Sequence, residues 1–76
     1  MVRLVNIQIN DKFASADYYP ENDKIGGHIV VDIETEEIVR LIKADNIGWG
    51  VSQAKRTLID MARTHSADTE RTVLWY

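Results

Sequence analysis

Cysteine is absent from this 76-residue chain, which excludes disulfides, thiolate metal sites and a cysteine nucleophile and leaves the core to apolar packing alone. Proline occurs once, at Pro20, and the four glycines sit in two places, Gly26-Gly27 and Gly48/Gly50, so strong backbone punctuation is confined to two segments. Long apolar runs are missing as well. Ile29-Val30-Val31 and Val73 to Tyr76 fall far short of the roughly 20 residues that cross a bilayer. Asn6, Gln8 and Asn10 interrupt the stretch after Met1-Val2-Arg3-Leu4 where the apolar region of a signal peptide would lie. These absences point to a cytoplasmic protein with no membrane association. No internal repeat and no low-complexity segment is visible.

What remains is an ordinary globular composition. At 45% hydrophobic and 28% charged residues, the chain stands apart from disordered sequences, and its length leaves room for a single domain over residues 1–76. The net charge is −3, unevenly distributed. Residues 1–38 hold three Lys/Arg against eight carboxylates, and residues 39–76 hold six against four. Two halves of opposite sign could attract each other within the fold or between subunits, although most such charge is simply solvated.

Patterning gives an order of elements. Val5, Ile7 and Ile9 alternate with Asn6, Gln8 and Asn10, the period of a strand with one wet face. Asn10-Asp11-Lys12 supplies turn chemistry, and Phe13 to Tyr19 can pair back as a second strand. After a loop from Pro20 to Gly27, Ile29, Val31 and Ile33 alternate with His28, Val30, Asp32 and Glu34 up to a Glu34-Thr35-Glu36-Glu37 turn, and Ile38 to Lys43 returns. In that returning strand Val39 and Leu41 on one face and Ile38 and Ile42 on the other are all apolar, so its inward side is open. From Val51 to His65 the period becomes 3.6: Val51, Ala54, Leu58, Met61, Ala62 and His65 share a stripe, with Arg56, Asp60 and Arg63 opposite. Arg71 to Tyr76, β-branched and aromatic, reads as a last strand.

The expected class is α+β: a mostly antiparallel four- or five-stranded sheet, built as a β-meander followed by a helix and a C-terminal strand, with one α-helix packed on one face. Because the helix carries the chain back, the last strand runs antiparallel to the first, in the order 5-1-2-3-4.

Chemistry is harder to find. Gly48, Trp49, Gly50, Ser52 and Lys55, at the start of the helix, could hold an anion, with Ser52 or Lys55 on its oxygens and Trp49 stacked on a base. The run matches neither G-x-x-x-x-G-K-[ST] nor G-x-G-x-x-G. Gly50 as N-cap, Gln53 reaching back and Trp49 packing on Ala54 explain the same residues by capping alone, and that is the preferred reading. His28 and His65 have no H-x-x-x-H spacing and no neighbouring nucleophile, and His65 is expected partly buried in the last helical turn. Asp17, Glu21, Asn22 and Asp23 could collect a hard cation but do not follow an EF-hand loop, and a solvated run is the simpler reading. Asp32, Glu34, Glu36 and Glu37 share a wet edge rather than a cleft.

For nucleic acid, Arg40, Lys43, Lys55, Arg56, Arg63 and Arg71 offer charge and Trp49, Trp75 and Tyr76 offer stacking, yet Asp60 interrupts the basic face and the chain is acidic overall. Protein–protein interaction fits better. Trp, Tyr and Arg concentrate binding energy, and Arg71, Trp75 and Tyr76 lie together at the end of the chain, on a strand that leaves an edge. Packing of Trp75 in the core explains it equally simply. The expectation is therefore a small non-catalytic interaction or regulatory module with a protein partner, self or other, a homodimer being one form. No cofactor, metal, catalytic residue or nucleic acid is expected. The alternative is a binder of a phosphate-bearing ligand or single-stranded nucleic acid between Gly48 and Lys55.

Overall fold

Alternating side chains make the sheet, and local hydrogen bonds turn it. A computed structural model describes residues 2–20, 26–42 and 51–73. Its elements are β1 (Val2–Ile9), β2 (Phe13–Pro20), β3 (Gly27–Asp32), β4 (Ile38–Ile42), α1 (Val51–Arg63) and β5 (Arg71–Val73). The five strands form one antiparallel sheet in the order β4-β3-β2-β1-β5, the order expected from the meander, the helix and the returning strand. No helix among the described residues is long and apolar enough to cross a membrane.

The turns work as their residues dictate. Asn10 Oδ1 accepts the backbone N–H groups of Lys12 at 2.8 Å and Phe13 at 2.7 Å, closing the β1–β2 hairpin. Asp32 Oδ1 does the same for Glu34 at 2.9 Å and Thr35 at 3.1 Å, and Glu36 takes φ 62°, which brings the chain back into β4.

Two strands depart from simple alternation. In β1 the register shifts between Val5, opposite Asp17, and Gln8, opposite Ser15, so Asn6 and Ile7 share one position, with Asn6 at φ 52°. The bulge changes the phase. Val2, Leu4 and Ile7 are buried, whereas Val5, expected on the same face as Ile7, lies on the other side. In β4 the register shifts at Val39, which lets Ile38 and Leu41 both pack on the core and leaves Val39 and Ile42 about half exposed. That answers the open question of its inward side: the pattern is apolar on both faces because a bulge reverses the alternation within the strand.

The core lies between one sheet face and α1. Val2, Leu4, Ile7, Ala14, Ala16, Tyr18, Ile29 and Val31 meet Ala54, Leu58, Ile59 and Met61. Alanines at the sheet centre let the helix approach, and larger residues fill the rim. The helix stops at Arg63, two residues before His65. Ser66 N–H donates to Met61 O at 2.9 Å and His65 N–H to Ala62 O at 3.3 Å, with His65 at φ 55°. This paired closure puts a left-handed residue just past the helix. His65 is thus an exposed cap position and not a member of the buried stripe.

Candidate functional site

The face of the sheet opposite α1 carries the polar residues of β1 to β4 and Thr72 of β5, and among the described residues no helix packs on it. Cross-strand pairing arranges it in rows. Thr72, Arg3 and Tyr19 form one; Val5, Asp17, His28 and Ile42 the next; Gln8, Ser15, Val30 and Arg40 the third; Phe13 and Asp32 close it.

The middle row holds a hydrogen-bonded chain of three side chains. Asn6 Nδ2 donates to Asp17 Oδ2 at 2.9 Å, and Asp17 Oδ1 meets His28 Nδ1 at 2.8 Å. Asp17 and His28 are directly opposed on β2 and β3, and the β1 bulge places Asn6 near the same carboxylate. Asn tolerates the left-handed backbone that this needs. The hydrogen bonds from Asn6 and then His28 hold the Asp17 carboxyl below the usual carboxylate range. Ionised at neutral pH, Asp17 can only accept, so His28 donates from Nδ1. Its Nε2 is then the ring nitrogen available to a partner. His28 and Asp17 are each about one-third exposed, so the network is accessible from solvent. No nucleophilic side chain is hydrogen-bonded to His28 among the described residues, and no cluster of three or more His, Cys, Asp or Glu there could hold a metal ion.

Around this network the face is part apolar, part cationic. Arg3 stacks on the Tyr19 ring with Cζ 5.2 Å from the centroid, and Lys12 lies 5.4 Å from that of Phe13. The Tyr19 ring lies on Gly26, where a Cβ would come within 2.5 Å of it. Val39 and Ile42 are the exposed large hydrophobics among the described residues, both on the edge strand β4. The carboxylates of this face are used internally, Asp17 by Asn6 and His28 and Asp32 by its own turn. Arg3 and Arg40 have no carboxylate partner among the described residues.

The residues singled out from the sequence fall elsewhere. Gly48, Trp49, Gly50, Trp75 and Tyr76 lie outside the described residues. Arg71 is opposite Leu4, hence on the helix side of the sheet, and is paired with Asp68 at 2.7 Å. Ser52 and Lys55 line a groove between α1 and the β3–β4 turn, together with Arg56, Ile59, Arg63 and Glu36. Sequence reasoning missed Asn6, read only as a wet strand position, and His28, read as having no partner. Once the hairpin registers are known, Asp17 and His28 must face each other, but a one-residue bulge that brings in Asn6 has no clear signature in residue types.

No protein-family model, no curated protein and no solved structure matches the chain.

Proposed function

We propose that the protein is a non-catalytic interaction module that associates through the uncovered sheet face, with a second copy of the chain as partner. The observation that carries this reading is that the face presents Arg3 and Arg40 with no carboxylate partner among the described residues, beside Tyr19, Ile42 and the one-third-exposed His28. Arginine and tyrosine concentrate binding energy in interfaces, and the oriented imidazole adds one directional hydrogen bond. Complementary charge exists on the chain itself. Glu34 and Glu37 are exposed acidic residues of the turn at one end of the same sheet. Isologous and head-to-tail contacts between copies both use such self-complementarity.

Size sets the strength. Five strands spaced ~4.8 Å apart, each about six residues long, give a face of about 500 Å². That is below the ~800 Å² per partner of a standard stable interface, so the association is weak and concentration-dependent. Sedimentation of the wild type from about 20 μM to about 1 mM at low salt should show a rising mass. An Arg3→Glu, Arg40→Glu variant should stay monomeric and lose no more than about 1 kcal/mol of stability, the worth of the exposed Arg3–Tyr19 contact. A wild type that is monomeric throughout, or a dimer indifferent to both substitutions, would refute the reading.

A further inference from the structure

We propose that the groove between α1 and the β3–β4 turn is a two-ended site for a small phosphate ester, binding the phosphate at Ser52, Lys55 and Arg56 and a hydroxyl or amino donor at Glu36 and Asp60. The site is separate from the sheet face, and the two stand or fall independently.

Helical spacing builds one wall. Lys55 and Arg56 follow Ser52 by three and four residues, Ile59 follows them by four and three, and Arg63 follows Ile59 by four, so the five side chains share one side of α1. Glu36 supplies the other wall. It lies in the β3–β4 turn, and its carboxylate closes the far end through an ion pair with Arg63. Ile59, 5% exposed, gives an apolar floor. The groove, open to solvent along one side, has a volume of about 430 Å³, room for a small ligand.

Charge is sorted along its length. Toward the first half of the helix, Lys55 and Arg56 have no carboxylate partner among the described residues, and the Ser52 hydroxyl stands one helical turn before them. Toward the second half, Glu36 already holds Arg63, and Asp60 adds a second carboxylate. A dianion fits the first end, where it gains charge-assisted hydrogen bonds, and is repelled from the second. The carboxylates need a donor instead. A single-stranded nucleic acid would have to carry its next phosphate past Glu36 and Asp60, in a chain of net charge −3, which favours a short ester over a polymer.

The test is an amide NMR titration of the whole protein at low salt with three probes: inorganic phosphate, adenosine monophosphate and a thymidine oligonucleotide. The expected result is a set of shifts at Ser52, Lys55, Arg56 and Glu36, with adenosine monophosphate binding about tenfold tighter than phosphate. Lys55→Ala with Arg56→Ala, both on the outer helix surface, should abolish the shifts for both while the rest of the spectrum is unchanged. Glu36→Gln should instead tighten inorganic phosphate and shrink the advantage of the nucleotide, a pattern that general charge attraction does not produce. Absence of shifts up to about 10 mM, or shifts that survive the double substitution, would overturn the site. Equal affinity for phosphate and the nucleotide would overturn its two-ended character, and tighter binding of the oligonucleotide would overturn the choice of a small ester.

Discussion

The two faces of this sheet are built from the same five strands, yet they obey different rules. Toward α1, small and aliphatic residues interlock with Leu58 and Met61, both fully buried, and every position is defined by volume. Away from α1, the same strands carry Asn6, Asp17, His28, Arg3 and Tyr19, joined by directed polar and ring contacts and open to solvent. The covered face supplies the free energy of folding. The uncovered one supplies chemistry at little cost to it. The difference teaches that a 76-residue chain can leave one sheet face uncovered because the other buries apolar surface against the helix.

Substitutions can break that contrast in graded steps. Leu58→Ala removes a fully buried side chain at the helix–sheet contact and should cost about 2–5 kcal/mol in urea unfolding, a large share of the stability of so small a domain. Val30→Ala, the equivalent truncation on the uncovered face, should cost less than about 1 kcal/mol by the same measurement. Equal losses would erase the distinction. Asn6→Ala comes next, at about 1–2 kcal/mol, since alanine neither favours φ 52° nor donates to Asp17. Asn6→Gly keeps the backbone and should recover part of that loss. Gly26→Ala places a methyl against the Tyr19 ring, which can swing aside, so a cost of about 1 kcal/mol and altered Tyr19 ring resonances are expected.

The smallest effect is in pH dependence. Because the Asp17 carboxyl is depressed in the folded protein, its contribution to stability is present above the unfolded value of about 3.9 and is lost as pH falls through the lower folded one. Asp17→Asn should therefore flatten the loss of stability below about pH 4. An acid limb as steep as that of the wild type would show that the Asn6–Asp17–His28 chain does not act as a unit.

Much of the covered face was legible in the residues. The Asn10 turn, the 3.6-residue stripe with Ala54 and Leu58, and the strand order all follow from period and turn chemistry. Where legibility failed, a single residue, in a bulge or a left-handed cap, was responsible. Asn6 shifted the phase of β1, Val39 that of β4, and His65 ended the helix early in a left-handed cap. The uncovered face was less legible because its contacts are cross-strand. Asp17 and His28 stand eleven residues apart and meet only through register, and Arg3 finds Tyr19 in the same way.

The central claim, that one face folds the protein and the other binds a second copy, is tested most directly by methyl NMR over a dilution series from about 1 mM to about 20 μM. The account predicts concentration-dependent shifts for the methyl groups of Val5, Val30 and Ile42 on the uncovered face, and none for those of Leu4, Ile29 and Leu58 in the core. Methyl shifts that are independent of concentration, or that fall on the core residues, would contradict it.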